Sequence, residues 1–178
     1  EEVHENPIYL DTIYTINNAK VGYLVYNGFM SNYDNQLNAV FAKFKQQGIQ
    51  NLILDLRYNG GGSLKSAVYL ASMIYTTDTT ALFNKNSYNA DLEKYIIEKE
   101  GEDALNEYFA AKIEASDDTH EEPINSLGLK NLYVLTTNGT ASASEILIND
   151  LRPYMKVTII GENTYGKYVG SITIKDYD

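Results

Sequence analysis

The chain has 178 residues, of which 44% are hydrophobic and 12% aromatic, a composition typical of an ordered globular protein. A net charge of −10, from 24 acidic and 14 basic residues, argues against nucleic acid or an anionic membrane surface as a partner. The absence of cysteine excludes disulfides and cysteine metal sites, and no apolar run approaches the roughly 20 residues of a membrane-spanning helix.

A β-hairpin is predicted at the N-terminus. Residues 9–16 and 20–26 have the alternating pattern of half-buried strands, and Asn17 and Asn18 between them favour a tight turn. The chain begins at Glu1 without a methionine and shows no signal peptide. We therefore expect a processed or excised piece of a longer protein.

The next segment changes to the helical period. Leu37, Val40, Phe41 and Phe44 recur three or four residues apart, and Gly48 stands where a C-capping glycine would. This spacing predicts an amphipathic helix that packs on a sheet.

A glycine-rich turn follows a predicted strand at residues 51–56, whose continuous apolar run suits a buried parallel strand. The helix predicted at residues 63–75 points its N-terminus toward the glycines at residues 60–62. Glycine lets a substrate carbonyl approach the main chain closely, although a sharp strand-to-helix turn would need the same residues. We interpret Asp55 and Arg57 as an ion pair that braces this loop.

The middle of the chain is predicted to carry an insertion at residues 84–127. After a short strand at residues 81–83, residues 91–115 show a mostly helical apolar stripe that is broken at Gly101. The insertion is interpreted either as a lid or substrate wall or as a helical pair on the surface. The acidic run at residues 117–122 lacks helical spacing, which favours a solvated loop over a metal site.

A strand, turn and helix at residues 132–151 place Ser142 at a helix N-terminus. Free backbone N–H groups and the macrodipole at such a terminus favour a developing oxyanion. Ser142 and Glu145 also have the spacing of a capping box, so the helix start alone leaves a purely structural role open.

A further strand is predicted at residues 157–160, and the turn that follows it ends with Lys167. Gly161 to Lys167 matches the start of a P-loop, which requires Ser or Thr next and then a helix. Tyr168 follows instead, and residues 169–174 alternate like a strand, so nucleotide binding is not favoured.

Three motifs together resemble peptidase family S41, the C-terminal processing or tail-specific serine proteases. They are Asp-Leu-Arg-Tyr-Asn-Gly-Gly-Gly at residues 55–62, Ser-Ala-Ser-Glu at residues 142–145 and Gly-Glu-Asn-Thr-Tyr-Gly-Lys at residues 161–167. The resemblance implies a serine endopeptidase in which Ser142 is the nucleophile and Lys167 is the general base.

The same resemblance implies an oxyanion hole formed by the backbone N–H groups of Ala143 and Gly61, with Gly62 as a near alternative. Glu145 and Ser171 are candidate supporting residues, and Ser171 stands where many members of the family carry glutamine. The chain has only two histidines, and neither is well placed as the base of a Ser-His-Asp triad, which favours the lysine.

A lysine can act as a base only when it is uncharged. A free lysine has a pKa of about 10.4, well above the pH of about 7 to 8 at which such a base works. Because desolvation is the effect that favours the neutral amine, we predict that Lys167 lies buried against apolar neighbours near Ile146 and Tyr165.

The resemblance also implies the fold and its setting. We expect an α/β domain with a ClpP/crotonase-like spiral core, in which a mostly parallel central sheet is flanked by helices and by the N-terminal hairpin. Residues 1–178 would form a single S41-like catalytic domain, truncated at the C-terminus, with no cofactor or metal. A PDZ domain would belong to the full-length chain, and the oligomeric state stays open.

The expected substrates are unfolded or C-terminally exposed polypeptides in the bacterial cell envelope, in a periplasmic or extracytoplasmic location. The alternative is a non-catalytic peptide-binding module that keeps the S41 fold.

Overall fold

The computed structural model describes residues 5–167, 169 and 170. Its strands are β1 (Ile8–Ile16), β2 (Ala19–Tyr26), β3 (Asn51–Asp55), β4 (Leu82–Lys85), β5 (Asn106–Tyr108), β6 (Lys112–Ile113), β7 (Glu122–Pro123), β8 (Asn131–Thr136) and β9 (Lys156–Gly161). Its α-helices are α1 (Asp34–Gln47), α2 (Leu64–Ile74), α3 (Ala90–Glu100) and α4 (Ala143–Leu151). In this part of the chain, no helix has the length and apolar composition needed to cross a bilayer.

A five-stranded sheet in the order β1-β2-β3-β8-β9 forms the centre of the fold. β1 and β2 pair antiparallel, whereas β2, β3, β8 and β9 pair parallel. Asn17 and Asn18 join the hairpin with φ angles of 48° and 64°, left-handed values that asparagine tolerates and that match the twist of paired strands. The predicted α/β core with a mostly parallel sheet and an N-terminal hairpin is confirmed.

The main core lies between one face of this sheet and three helices. Leu24, Leu54 and Val134 are fully buried on that face and belong to one apolar cluster with Phe41 of α1 and Leu147 of α4. Helix α2 is buried along nearly its whole length in the same cluster. Burial of each large aliphatic or aromatic side chain contributes about 1.5 to 3 kcal/mol, so this layer holds the sheet and helices together.

The opposite face of the sheet is only half-buried. The strand register places Tyr23 of β2 beside Ile53 of β3, and Ile53 beside Tyr133 of β8. All three side chains are intermediate in exposure. The helices therefore cover one face of the sheet more completely than the other.

Helices α1 and α2 begin and end at the signals that the sequence carries. Gly48 ends α1 in a left-handed conformation, with φ 65° and ψ 48°, as its predicted C-capping position requires. Ser63 precedes α2, and its hydroxyl oxygen accepts a hydrogen bond from the Ser66 N–H at 3.2 Å.

The prediction of a mostly helical segment at residues 91–115 is wrong for its second half. Helix α3 ends before Gly101, which has a φ of 87°, and β5 beyond it pairs with β4. Leu105 and Phe109 have helical spacing and are both buried, yet Leu105 ends a short 3₁₀ helix (Glu102–Leu105) and Phe109 follows β5, where its N–H donates to the Ala81 carbonyl. Tertiary burial of the same apolar residues thus overrides their helical spacing.

The parallel strands bring four chain segments to one edge of the sheet. Since the carboxyl ends of parallel neighbours lie side by side, the segments after β2, β3, β8 and β9 meet there. They contain Asn27, the glycine turn at residues 60–62, Ser142 and Lys167.

A buried carboxyl group lies at the start of α1, against the first turn of α2. Asp34, the first residue of α1, is 1% exposed and accepts a hydrogen bond from the Ser66 hydroxyl at 3.1 Å. Within the described chain, its other carboxyl oxygen and the hydroxyl of the buried Tyr26 have no hydrogen-bond partner. Burial raises the pKa of Asp34 to about 6, and the Ser66 hydrogen bond offsets only part of that effect.

Replacing Asp34 with asparagine should remove a pH-dependent loss of stability. The unfolded carboxyl, with a pKa of 3.8, ionises at lower pH than the folded one, so the wild-type chain loses stability as the pH rises from about 4 to about 6. Relative to Asp34→Asn, the wild-type free energy of unfolding should therefore fall by on the order of 2 to 3 kcal/mol across this range. Urea unfolding at pH 4 and pH 7 measures it.

Asp117→Asn, in an exposed loop, is the matched control and should leave the pH dependence unchanged. A constant difference between Asp34→Asn and wild type at both pH values would contradict the prediction.

Candidate active site

Ser142 lies in a strained turn at the start of α4. Its φ of 57° and ψ of −119° fall in a region that residues with a Cβ rarely adopt. In the described chain, the other non-glycine residues with positive φ are the two turn asparagines of the hairpin, which tolerate it far better. Such strain concentrates at functional sites, where surrounding structure holds it in place.

The turn is held by hydrogen bonds to the segment that follows β3. The Ala141 N–H and the Ser144 hydroxyl both donate to the Asn59 carbonyl oxygen, at 3.1 and 3.0 Å. The buried hydroxyl of Thr140 donates to the Leu56 carbonyl oxygen at 2.7 Å. These bonds fix the helix start, and with it the Ser142 side chain, against the end of the neighbouring strand.

Gly61 packs directly against the Ser142 turn. A Cβ atom at Gly61 would lie 2.7 Å from the Ser142 Cβ, 2.9 Å from the Ala141 carbonyl oxygen and 3.0 Å from the Ala143 nitrogen. Its φ of 106° is itself unfavourable for other residues. The structure therefore brings Gly61, Ser142 and Ala143 together, as the sequence motifs led us to expect.

The backbone N–H groups of Gly61, Gly62 and Ala143 differ in their hydrogen bonds. The Gly61 N–H donates to the Asn59 side-chain oxygen at 2.9 Å and is therefore already engaged. Within residues 5–167, neither the Gly62 N–H nor the Ala143 N–H donates to another protein group. In this conformation Gly62 and Ala143, rather than Gly61, carry N–H groups that an oxyanion can use.

The carboxylate of Glu145 joins the Ser142 turn to the loop that carries Lys167. One oxygen, Oε2, accepts from the backbone N–H groups of Ser142 and Lys167, both at 2.9 Å. The other, Oε1, accepts from the Thr164 hydroxyl and the Gly166 N–H, both at 2.7 Å. The capping-box partner of Ser142 thus also positions a second chain segment.

Glu145 is held in its ionised form. Burial opposes ionisation, but the hydrogen bonds from Thr164, Gly166, Ser142 and Lys167 outweigh it, and the pKa of Glu145 is lowered. A carboxylate that accepts several N–H bonds behaves in this way because each bond favours the charged form.

The prediction that Lys167 lies buried is wrong in this structure. Its side chain is exposed, and Tyr165, a predicted apolar neighbour, is 70% exposed. Lys167 does share a cavity of about 260 Å³ with Ile146. The reason for the exposure is that the loop after β9 is attached by backbone hydrogen bonds, such as that from Tyr165 N–H to the Thr140 carbonyl, and not by apolar packing.

Two predicted features lie outside the described residues. They are Ser171, the candidate third member of the site, and most of the strand predicted at residues 169–174.

The sequence interpretation missed the importance of Asn59. This residue is completely buried, and its side-chain amide donates to the Tyr26 carbonyl oxygen at 2.9 Å while its side-chain oxygen accepts from Gly61. The available signal was its place in the motif at residues 55–62, as a polar residue just before the glycines. The predicted ion pair in the same motif is confirmed, with an Arg57 Nη2 to Asp55 Oδ2 distance of 2.6 Å.

The acidic run at residues 117–122 shows no arrangement suited to a metal ion. Glu121 pairs with Lys112 at 2.7 Å, and the part of the chain that the structure describes has no group of three or more metal-ligating side chains. Asp117, Asp118, His120 and Glu121 are exposed, as expected of a solvated loop.

Replacing Gly61 with alanine should disrupt the site, because the added methyl group meets the Ser142 Cβ and two backbone atoms at 3.0 Å or less. We expect a loss of about 1 to 3 kcal/mol in the free energy of unfolding, measured by urea unfolding. Gly60→Ala is the matched control, since no atom lies within 4 Å of a Cβ there. Equal behaviour of the two variants would refute the packing argument.

Replacing Glu145 with glutamine should weaken the attachment of the Ser142 turn to the loop that carries Lys167. The amide keeps one acceptor oxygen and turns two donors toward backbone N–H groups. We expect a loss of about 1 to 3 kcal/mol at pH 7. Because the folded pKa of Glu145 is lowered, its contribution exists above the ordinary value of 4.5 and is lost as the pH falls through the folded pKa.

The difference between the wild type and Glu145→Gln should therefore shrink in acid, as measured by urea unfolding across pH 3 to 7. Glu162→Gln, at an exposed side chain of the same region, should have little effect at any pH. A difference that is absent at pH 7 would contradict the assigned role of Glu145.

Comparisons with known proteins identify the family of the chain. The sequence model of peptidase family S41 matches residues 20–175. A carboxyl-terminal-processing protease from a Synechocystis species is 31% identical over 147 residues, which cover 83% of this chain and 28% of the relative. A probable CtpA-like serine protease from Staphylococcus epidermidis is 28% identical over 181 residues, covering 99% of this chain and 31% of the relative.

Two solved structures share the fold. A putative S41 protease from Bacteroides fragilis has a TM-score of 0.76 and 34% identity, covering 95% of this chain and 42% of that protein. The photosystem II D1 C-terminal processing protease has a TM-score of 0.62 and 25% identity, covering 94% of this chain and 39% of that protein. The chain thus spans roughly a third of its curated relatives. With a family match over most of its length and the motifs of that family gathered at one sheet edge, the chain belongs to peptidase family S41.

Proposed function

We propose that this chain carries the catalytic centre of a serine endopeptidase that uses Ser142 and Lys167 as a dyad. The observation that supports it best is the shared Glu145 oxygen, which holds the backbone N–H groups of both residues at 2.9 Å. A strained serine at a helix N-terminus is a second support, because it presents a hydroxyl beside free N–H donors.

In this proposal the Ser142 Oγ attacks the carbonyl carbon of the scissile peptide, and the Lys167 Nζ accepts the hydroxyl proton. The amine then returns the proton to the leaving nitrogen, the C–N bond breaks, and water hydrolyses the acyl-enzyme. The N–H groups of Ala143 and Gly62 stabilise the negative oxygen of each tetrahedral intermediate.

The exposed side chain of Lys167 sets a condition on this mechanism. A base must be neutral, and an amine in water is strongly held as the cation. A bound polypeptide that covers the cavity shared by Ile146 and Lys167 removes the amine from water, which favours its neutral form. Substrate binding thus completes the site.

The insertion at residues 84–127 is proposed as a wall or lid of the same cleft. Its first residue, Asn84, lines the cavity that contains Lys167 and donates a hydrogen bond to Asp150 of α4 at 2.7 Å. Because Asn84 is held beside Lys167, the insertion that begins there lies close to any substrate that covers the lysine.

The proposed substrates are unfolded or C-terminally exposed polypeptides of the bacterial cell envelope, in a periplasmic or extracytoplasmic setting. This follows from the resemblance to C-terminal processing proteases, in whose longer chains a PDZ domain is expected. The competing proposal is a peptide-binding module that keeps the fold without turnover.

Hydrolysis of casein by the natural full-length protein separates the two proposals. We expect Ser142→Ala and Lys167→Ala each to lower kcat at least about a thousandfold, because each removes one of the two reacting groups. Lys156→Ala, at an exposed lysine on β9, is the control and should retain activity.

A wild-type protein that binds casein without cleaving it would favour the binding module. A rate that rises with an apparent pKa near 10 would show that the base is a solvated amine, and would remove Lys167 from the proposed role.

A further inference from the structure

A second cleft opens at the carboxyl edge of the sheet, beside the segment that leads into the glycine turn. Its volume is about 390 Å³. The walls include Tyr9 and Leu10 of β1, Tyr23 and Val25 of β2, and Tyr58, which follows β3. The cleft therefore lies between the N-terminal hairpin and the loop that packs on Ser142.

A β-bulge directs two consecutive side chains toward this cleft. The pairing register between β1 and β2 shifts between Ile8 and Leu10, so that Tyr9 is the extra residue. In a regular strand, neighbours point to opposite faces of the sheet, but Tyr9 and Leu10 both line the cleft. Bulges of this kind re-aim side chains and recur next to active sites.

Three large aromatic or aliphatic side chains of the cleft are unusually exposed. Tyr58 is 77% exposed, Tyr9 is 71% exposed and Leu10 is 42% exposed. Large exposed apolar groups that converge on one cavity mark interaction sites, and tyrosine is among the residues enriched there. This wall is suited to an aromatic or large aliphatic side chain.

The charged groups of the cleft disfavour an acidic ligand, because the exposed carboxyl group of Glu5 also lines it. Arg57 is already bound to Asp55, and the Tyr23 hydroxyl donates to the same carboxylate at 2.8 Å. Within the described residues, the buried side-chain oxygen of Asn27 has no hydrogen-bond partner. It is an acceptor, and a polypeptide backbone supplies N–H donors.

The position of the cleft relates it to Ser142. The cleft lies where β2 and β3 end, and Ser142 follows β8, the next strand of the sheet. Tyr58, which lines the cleft, precedes Gly61 by three residues, and Gly61 packs against Ser142, so this wall of the cleft lies at most about 10 Å from Gly61. That distance equals two or three residues of an extended peptide.

We propose that this cleft is a subsite for the polypeptide substrate and takes an aromatic or large aliphatic side chain two or three residues from the scissile bond. The proposal rests on the peptidase function proposed above for Ser142. An acidic or small residue gains little in this cleft, since its large exposed side chains are apolar and Glu5 adds a carboxyl group to its lining.

The test compares two peptides that differ only in phenylalanine or serine at one position, scanned from three residues before to three residues after the scissile bond. With the natural full-length protein, kcat/KM should favour phenylalanine at least about tenfold at one position. In Tyr58→Ala and Tyr9→Ala the ratio of kcat/KM for the phenylalanine peptide to kcat/KM for the serine peptide should fall toward one. The change should be in KM and not in kcat. Tyr95→Ala is the matched control, because Tyr95 on α3 is 59% exposed and lies outside the cleft.

A phenylalanine preference that is the same in the wild type and in both cleft variants would overturn the proposal. So would a change of oligomeric state on size-exclusion chromatography in Tyr58→Ala and Tyr9→Ala, since the cleft would then bind a second copy or another part of the longer chain.

Binding to the Ser142→Ala protein, measured by fluorescence anisotropy of the same labelled peptides, separates this proposal from the catalytic one. If the wild-type protein cleaves neither peptide while Ser142→Ala binds the phenylalanine peptide about tenfold more tightly in a Tyr58-dependent manner, the subsite stands and the catalytic proposal falls. If cleavage is normal and binding is independent of Tyr58, the subsite falls alone.

Discussion

Asn59 joins three strand ends, and the site depends on the hydrogen bonds that this one buried residue makes. Its side-chain amide binds the end of β2, its side-chain oxygen binds Gly61, and its carbonyl binds the Ser142 turn after β8. A buried amide group is stable only when its donors and acceptors are satisfied, and here the partners belong to separate segments. The geometry around Ser142 is thus a property of the assembled sheet and not of its own turn.

Glu145 extends this assembly by one strand. Asn59 links the segments after β2, β3 and β8, and the Glu145 carboxylate links the helix after β8 to the loop after β9. Together the two residues tie all four carboxyl ends of the parallel strands to one another. This explains how residues that are far apart in the chain are held near each other without a metal or disulfide in the described part of the molecule.

Local patterns in the sequence predict most of the fold because they report burial directly. The alternation of residues 9–16, the helical spacing from Leu37 to Phe44 and the capping glycine Gly48 all correspond to elements of the structure. The pattern is misleading where Leu105 and Phe109 have helical spacing but are buried on either side of β5, outside any α-helix. Spacing alone cannot distinguish these cases, since long-range contacts decide which backbone conformation buries the residues.

The site is predicted less completely than the fold. The motifs name Ser142 and Lys167, and the register of the sheet then brings their segments together. The exposure of Lys167 depends on side-chain packing and on hydrogen bonds between distant segments, and it has no signal in residue order because it arises only when β8 and β9 are aligned. The engagement of the Gly61 N–H by Asn59 is instead a local bond between residues two positions apart, and its signal is the asparagine of the motif at residues 55–62.

The strained backbone of Ser142 has a consequence for the behaviour of the molecule on heating. A residue with φ 57° returns to a relaxed conformation once the hydrogen bonds that surround it break, and those bonds join the segments that follow the strands. Connecting segments generally open with a lower free energy than the core strands that they join. Warming will therefore relax the Ser142 turn at temperatures where circular dichroism still records an intact sheet and helices.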